Sequence, residues 1–278
     1  CNHMGDKEVA KELLLLAKRA GADVAKFQKR NPKELLTEKQ YNAPHPNARN
    51  SFGATYGEHR ENLEFSVDVH RELKQYCDSI DLEYSCSVWD VTSAKEIISL
   101  GPKLIKVGSP SNQHWEMMTL LRDHYQGDVH ISTGMTTKEE VEKIVHFWEG
   151  GQGDAKNRVV LYNCTSGYPV PFEDICLLDI QRMIHTYGQR VKAIGFSGHH
   201  LGISTDVAAY ALGATWVERH FTKDRTWKGT DHAASLEPEG LQRLCRDLQA
   251  AWLAMDHKKT EILPLEEANR RKLKWGLY

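Results

Sequence analysis

Several features that define other classes of protein are missing from this sequence of 278 residues. No apolar run approaches the roughly 20 residues that a membrane-spanning helix needs, because the most apolar stretch, Leu13 to Leu16, is followed closely by Lys18 and Arg19. There is no excess of basic residues, since the formal net charge is −2, and this argues against binding to nucleic acid. We therefore expect neither a membrane nor a nucleic acid among the partners.

Paired cysteines and a glycine-rich nucleotide loop are missing as well. The six cysteines are scattered, with no Cys-x-x-Cys, so that we expect reduced thiols in a cytoplasmic protein without a signal peptide. The absence of a Gly-x-Gly-x-x-Gly disfavours a doubly wound dinucleotide-binding sheet. The composition, with 40% hydrophobic and 27% charged residues, is that of an ordinary globular protein.

Short β-rich runs alternate with amphipathic helices along the chain. The predicted strands span residues 23–28, 82–88, 104–107, 128–132, 159–164, 191–196 and 214–221. The predicted helices span residues 7–19, 67–77, 93–100, 115–125, 137–147, 172–186, 205–212 and 237–255. Repeated βα units indicate a parallel sheet, and eight such helices indicate a (β/α)8 TIM barrel, for which about 250 residues are typical. Because the chain opens on a helix, we expect strand one to lie ahead of Cys1.

Two segments fall outside this alternation. Residues 29–62 form a predicted polar loop rich in Asn, Pro, Gly and Arg, and loops of this length are typically functional or disordered. Residues 257–278 form a predicted charged tail. We therefore expect residues 1–256 to form the catalytic TIM barrel and residues 257–278 to form a C-terminal tail.

Polar residues collect at the carboxyl ends of the predicted strands, where TIM barrels carry their chemistry. Lys26 and Lys106 lie inside apolar runs, Val24-Ala25-Lys26-Phe27 and Leu104-Ile105-Lys106-Val107. This placement favours the barrel lumen over the solvated surface that is usual for lysine. Serine and threonine hydroxyls and glycine-flanked amides follow neighbouring strands. Together with the lysines they suit a phosphate or carboxylate ligand.

His199 and His220 end two neighbouring predicted strands. Neutral imidazoles at matching strand ends can share one divalent cation, although either histidine alone is more often a hydrogen-bonded structural residue. No third His or Cys ligand is evident, so substrate and water would complete the coordination, as in catalytic sites. Asp231, in the loop beyond the last strand, can hold a sugar hydroxyl or be an ordinary turn aspartate.

The strand-end motifs resemble those of the sialic acid synthase family, the N-acetylneuraminate synthases and their relatives. Any one motif is weak, but seven occur in the family order and cover almost the whole chain. They are Asn2-His3-Met4-Gly5-Asp6, Ala25-Lys26-Phe27-Gln28, Ile105-Lys106-Val107-Gly108-Ser109, Ser132-Thr133-Gly134-Met135, Ser197-Gly198-His199-His200-Leu201-Gly202, Glu218-Arg219-His220-Phe221-Thr222 and Asp231-His232-Ala233-Ala234-Ser235-Leu236-Glu237-Pro238.

This resemblance implies a TIM barrel that uses phosphoenolpyruvate and a divalent metal, often manganese, with magnesium or cobalt also possible. The implied phosphoenolpyruvate site consists of Lys26, Ser87, Lys106, Ser109, Ser132, Ser166 and Ser197. The implied metal ligands are His199 and His220, and the implied sugar contacts are Gln28, Tyr168 and Asp231. Of these residues, His199, His220, Lys26 and Lys106 would be catalytic.

The chain departs from the family pattern at several points. The family's opening glutamate would lie ahead of Cys1, and Ser111 stands where the family has an acidic residue. Ser166-Gly167 stands where relatives often have Asn or Ser before a tyrosine pair. The family also usually carries a C-terminal antifreeze-like domain, which we do not expect in a chain that ends at Tyr278.

The implied reaction is an aldol-type condensation of phosphoenolpyruvate with a hexose aldehyde, N-acetylmannosamine or a relative, to give a nine-carbon sugar acid and phosphate. The acceptor can instead be mannose 6-phosphate or N-acetylmannosamine 6-phosphate, because arginine suits a phosphate and the predicted loop carries Lys29, Arg30, Arg49 and Arg60. The same residues also allow a synthase of seven- or eight-carbon sugar acids, or a barrel that binds sugar without catalysis. A homodimer is left open.

Overall fold

The alternation of strands and helices is confirmed in the computed structural model, which describes residues 1–276, although more than one helix follows some of the strands. The strands are β1 (Val24–Lys29), β2 (Glu83–Val88), β3 (Leu104–Val107), β4 (Asp128–Ser132), β5 (Val159–Cys164), β6 (Ala193–Gly198) and β7 (Trp216–Arg219). The long helices are α1 (Lys7–Ala20), α5 (Val67–Ser79), α6 (Val91–Ile98), α7 (Trp115–His124), α8 (Lys138–Glu149), α10 (Leu178–Tyr187), α11 (Ser204–Ala211), α12 (Pro238–Ala254) and α13 (Pro264–Leu273). The short ones are α2 (Pro32–Leu35), α3 (Glu38–Asn42), α4 (Tyr56–Asn62) and α9 (Ala155–Arg158).

All seven strands belong to one parallel sheet in the sequential order β1 to β7, which is the order of a barrel wall. The sheet is curled, because Nζ of Lys26 on β1 lies 3.7 Å from Oε2 of Glu218 on β7, although these are the two edge strands of the described sheet. The predicted α/β barrel architecture is thus confirmed, and the position of a further strand ahead of Cys1 stays a prediction.

The alternation of side chains along each strand separates an apolar outer face from a polar lumen. Outward side chains, among them Ile105, Val107, Ile131, Leu161 and Phe196, are buried in the main hydrophobic core. The strand register aligns the inward ones, with Ser87 opposite Lys106 and Ser197 opposite Glu218. The parallel sheet therefore excludes water on its outer face and presents its charged residues inside the barrel.

The prediction of one long loop for residues 29–62 is wrong in part, because the segment contains α2, α3 and α4. Thr37 and Gln40 form a reciprocal capping box at the start of α3, and Thr55 and Glu58 form another at the start of α4. Each box satisfies two main-chain donors that a helix start leaves free. The polar composition concealed these helices, although the two Thr-x-x-Gln/Glu pairs are a readable signal.

The remaining differences from the sequence predictions are the short helix α9, which was not predicted, and the ends of other elements. Helix α10 begins at Leu178 instead of residue 172, after a 3-10 turn at Phe172–Asp174. Residues 257–276 contain helix α13, and residues 277 and 278, the end of the predicted tail, lie outside the described part. Among the helices of residues 1–276, none combines the length and the hydropathy that crossing a bilayer requires.

Candidate active site

A half-buried carboxylate, that of Glu218, links the basic residues of the lumen. Lys106 is only 2% exposed, and its Nζ donates to Oε2 of Glu218 at 2.8 Å. The hydroxyl of Ser197 donates to Oε1 of the same carboxylate at 2.8 Å. Lys26 Nζ lies 3.7 Å from Glu218 Oε2 and donates to Ser87 Oγ at 3.1 Å. Four of the predicted phosphoenolpyruvate contacts therefore meet around Glu218, for which no role was predicted.

The charges of this cluster favour an anionic ligand. Burial alone would raise the pKa of Glu218, but Lys106 and Lys26 hold it well below its usual range. Burial lowers the pKa of Lys106, and the Glu218 carboxylate opposes that change. Lys106 Nζ also lies 3.6 Å from the centre of the Tyr162 ring, a cation–π contact that favours the ammonium form. Two ammonium groups thus face one carboxylate, and one positive charge is left for a ligand.

A second group of hydroxyls meets beside Gly134, just beyond β4. The main-chain N–H of Gly134 donates to Ser109 Oγ at 3.0 Å. A side chain at this position would collide with the hydroxyls of Ser109 and Ser166, so only glycine allows these groups to come together. Ser132 ends β4 two residues earlier and is buried. Hydroxyl and amide donors gathered in this way suit phosphate oxygens.

His199 and His220 lie side by side just beyond β6 and β7, with ring centroids 5.2 Å apart. Two imidazoles can share one ion through metal–nitrogen bonds of about 2.1 Å when their centroids are within roughly 6.4 Å. Nδ1 of His199 lies 2.9 Å from the carbonyl oxygen of Thr165, a contact that fixes the proton on Nδ1, so that Nε2 is the nitrogen that would bind an ion. Burial lowers the pKa of His220 to about 4, so that ring is neutral at pH 7.

The two imidazoles fit two coordination positions of a divalent ion. Within residues 1–276, no group of three His, Cys, Asp or Glu side chains is arranged to hold a metal. Oxygen atoms of substrate and water would therefore have to complete the coordination, as in catalytic centres with open positions.

Cys164 adjoins this pair and was not predicted as a site residue. Its Sγ lies 3.9 Å from Ser109 Oγ, and it ends β5 opposite Ser197 on β6. Burial alone would raise the pKa of the thiol, but the His199 ring lowers it. Burial correspondingly lowers the pKa of His199, and the bond to the thiol raises it above its usual value. Cys164 thus connects the serine group with the histidine pair.

Two of the three predicted sugar contacts, Tyr168 and Asp231, lie beside the same imidazoles. The ring centroid of Tyr168 lies 4.4 Å from that of His199 and 5.8 Å from that of His220. Oδ2 of Asp231 lies 3.8 Å from Nδ1 of His220. Gln28 is half-buried and pairs in register with Ser87 on β2. The structure therefore brings every predicted site residue to one mouth of the barrel.

The four cations of residues 29–62 named from the sequence have different partners. Lys29 pairs with Glu96 at 3.2 Å, and Arg30 pairs with Glu64 at 2.5 Å. Arg49 is exposed to solvent. Arg60, the fourth of these cations, contacts aromatic side chains instead of a carboxylate or solvent alone.

Arg60 is held by aromatic residues. Its Nε and Nη2 donate to the hydroxyl of Tyr56 at 3.0 and 2.5 Å, and its Cζ lies 5.7 Å from the centre of the Trp89 ring. It forms no ion pair with a carboxylate of residues 1–276. Arg30 stacks on the same Trp89 ring at 5.6 Å. The burial of Arg60 lowers its own pKa, and the nearby charge of Arg30 lowers it further.

Glu218 could have been found from the sequence. It lies two residues before His220, and residues i and i+2 of a strand share one face. A carboxylate on the lumen side of a strand next to two inward lysines is expected to pair with them, because buried charges are rarely left alone. The same reasoning that placed Lys26 and Lys106 inside the barrel therefore applies to Glu218.

Comparison with known proteins agrees with this geometry. The model of the NeuB family matches residues 13–260. N-acetylneuraminate-9-phosphate synthase of Homo sapiens is 36% identical over 274 residues, covering 98% of this chain and 74% of that protein. N,N'-diacetyllegionaminic acid synthase of Campylobacter jejuni is 31% identical over 255 residues, covering 91% of this chain and 75% of that protein.

Solved structures of sugar acid synthases share the fold of this chain. The N-acetylneuraminic acid synthetase of Leptospira borgpetersenii, in complex with citrate, superposes with a TM-score of 0.80 at 26% identity, covering 98% of this chain and 89% of that chain. A truncated 3-deoxy-D-arabino-heptulosonate 7-phosphate synthase of Thermotoga maritima, at 14% identity and a TM-score of 0.63, shares the fold. Fold and site together define a barrel enzyme that takes an anionic substrate at its mouth. The chain belongs to the NeuB family, and the predicted sialic acid synthase family is confirmed.

Proposed function

We propose that this protein condenses phosphoenolpyruvate with the aldehyde carbon of an open-chain hexose, giving a nine-carbon sugar acid and phosphate. The observation that carries the proposal is the convergence of Lys26, Lys106 and the lumen hydroxyls beside His199 and His220. Membership of the NeuB family supports it, since the relatives named above are synthases of N-acetylneuraminate 9-phosphate and of diacetyllegionaminic acid. A cytoplasmic location and a homodimer stay predictions of the sequence.

The lysine cluster holds the anionic substrate. Phosphate and carboxylate oxygens accept charge-assisted hydrogen bonds from Lys26 and Lys106, and these bonds are about twice as strong as neutral ones. Because Lys106 is buried, its charge is screened less than that of a surface lysine. The hydroxyls of Ser109 and Ser166 offer donors on the other side of the same mouth, and the Gly134 amide orients the Ser109 hydroxyl by donating to it. Their contribution is to position the substrate and to stabilise charge as it shifts.

The histidine pair is proposed to hold a divalent metal, manganese first, with magnesium or cobalt as the next candidates. A bound divalent ion polarises the oxygen of an aldehyde. Thr165 orients the His199 ring, and burial keeps His220 neutral. Carbon 3 of phosphoenolpyruvate then bonds to the aldehyde carbon, water adds to carbon 2, and phosphate leaves as the bond between carbon 2 and its oxygen breaks.

A phosphorylated acceptor is the second candidate, and Arg60 is the observation that favours it. A guanidinium clamped against Tyr56 and Trp89 without a carboxylate partner among residues 1–276 is prepared to bind an anion, because its planar fork matches phosphate. A chain of contacts leads from Arg60 through Trp89 and Arg30 to the predicted sugar contact Asp231. Arg30, stacked on the same ring, contacts Cys1 Sγ at 2.9 Å, and the main-chain nitrogen of Cys1 lies 3.3 Å from Asp231 Oδ2.

Comparison of four acceptors tests this choice. Mannose 6-phosphate, N-acetylmannosamine 6-phosphate, mannose and N-acetylmannosamine are assayed for phosphate release at equal concentration. If the acceptor is phosphorylated, Arg60→Ala raises its KM by roughly 10- to 150-fold, since a hydrogen bond to a charged group contributes about 1.5–3 kcal/mol and 1.4 kcal/mol is tenfold. Arg49→Ala, at an exposed position, is the matched control and leaves that KM unchanged.

A preference for a free sugar would exclude the phosphorylated acceptor. A preference for free N-acetylmannosamine that neither Arg60→Ala nor Arg49→Ala alters excludes the phosphorylated acceptor and leaves the condensation itself intact. Mass measurement of the product separates a nine-carbon acid from a seven- or eight-carbon one.

A further inference from the structure

A fully buried network lies behind the histidine pair. Asp206, in the first turn of α11, is 0% exposed. Its Oδ2 lies 2.5 Å from Nη1 of Arg219 and 3.2 Å from Nε2 of His200. Arg219 also donates to the main-chain carbonyl oxygens of His200 and Gly202, at 2.6 and 2.7 Å. One carboxylate therefore ties the end of β7 to the loop that follows β6.

Each side chain bound by Asp206 belongs to the chain neighbour of a proposed metal ligand. His200 follows His199, and Arg219 precedes His220. Successive side chains of an extended chain point to opposite sides, so the two ligands face the mouth while His200 and Arg219 face α11. The carboxylate thus holds both ligand-bearing segments from behind.

The packing around this network leaves little freedom. A side chain at Gly198 would meet the His200 ring at 2.8 Å, so the ring lies directly against β6. Arg219 and Asp206 are both buried, and a buried guanidinium needs its carboxylate, because removing one partner leaves an uncompensated charge. Gly198 and Arg219 are paired in the sheet, which sets the separation of the two strand ends. The bonds to Asp206 fix the chain neighbours of the two proposed ligands behind those ends.

We propose that Asp206 is a positioning residue that fixes the orientation of the segments bearing His199 and His220 and thereby the affinity of the enzyme for its divalent metal. The inference rests on the metal role proposed above. Partners one layer behind metal ligands typically contribute 10- to 100-fold to metal affinity. A network that served only to stabilise the turn between β6 and α11 would leave the metal affinity unchanged.

Titration with Mn²⁺, followed by the electron paramagnetic resonance of the free ion, tests this role in Asp206→Asn. We expect the Kd for Mn²⁺ to rise 10- to 100-fold. The kcat should fall at low Mn²⁺ and recover as Mn²⁺ is raised, while the KM for phosphoenolpyruvate stays within about threefold. Asp90→Asn is the matched control, because Asp90 is equally buried and caps α6 at another strand-to-helix loop. Its Kd for Mn²⁺ should equal that of the wild type.

Three outcomes overturn the proposal in distinguishable ways. If Asp206→Asn has a lowered Tm but binds Mn²⁺ as the wild type does, Asp206 is only structural. If that variant does not fold, Arg219→Lys, which keeps the charge but loses the fork, should show the same rise in Kd, and an unchanged Kd contradicts the role. If the wild-type enzyme condenses its substrates without binding Mn²⁺, the metal assignment fails and this inference fails with it.

Discussion

Replacing His199 or His220 with Ala should lower kcat by about 10³-fold, because loss of a metal that stabilises developing charge costs several kcal/mol and each 1.36 kcal/mol is tenfold. The fold should survive, since both rings lie at the mouth of the barrel and outside the helix-packed core. Steady-state rates with saturating Mn²⁺, together with Tm, measure both effects. His146→Ala, at an exposed site on α8, is the control and should keep the full rate.

Removal of metal gives the same information without a substitution. Wild-type enzyme treated with a chelator should lose its activity and regain it when Mn²⁺ is added. Full turnover of the chelated enzyme would contradict the assignment of the histidine pair, whatever the single variants show.

Lys106→Met should raise the KM for phosphoenolpyruvate by roughly 10- to 150-fold, since a charge-assisted hydrogen bond of about 1.5–3 kcal/mol is lost. It should also destabilise the protein, by less than the roughly 3–5 kcal/mol that breaking a fully buried pair costs, because the half-buried Glu218 carboxylate loses its 2.8 Å partner and keeps only Lys26 at 3.7 Å. Lys26→Met should raise the KM similarly with a smaller loss of stability, because Lys26 is more exposed and lies 3.7 Å from that carboxylate. Denaturant unfolding and initial rates measure the two quantities.

A double substitution separates substrate binding from stability. Lys106→Met combined with Glu218→Gln removes both charges, so that most of the lost stability should return while the KM for phosphoenolpyruvate stays high. An unchanged KM in both lysine variants would mean that the cluster is a structural ion pair and that the anion binds elsewhere.

The strands could be predicted from the sequence because each is a short apolar run bounded by turn residues. The lumen position of Lys26 and Lys106 followed from the same pattern. A lysine between apolar neighbours in a strand points to the opposite face from those neighbours, and the charge is therefore expected on the polar lumen side. The helices of residues 29–62 could not be found by periodicity, because polar capping boxes and contacts with neighbouring helices stabilise them instead of an apolar face.

The geometry of the site depends on the curvature of the sheet. Lys26 and Glu218 lie near opposite ends of the chain, and only the curl of the β1–β7 wall brings their charged atoms to 3.7 Å. The contact of Asp206 with Arg219 likewise depends on how α11 packs on β6 and β7. Local patterns give the face on which a residue lies, but distances between residues of different strands require the register and the curvature of the whole sheet.

The central claim is the condensation itself, and one measurement tests it most directly. Phosphoenolpyruvate labelled with ¹⁸O at the oxygen that joins carbon 2 to phosphorus is incubated with the enzyme, Mn²⁺ and each hexose, and the phosphate is followed by ³¹P nuclear magnetic resonance. We predict that phosphate appears only when a hexose acceptor is present and that it carries the label. Phosphate that forms without a hexose, or that has lost the label, would contradict the account.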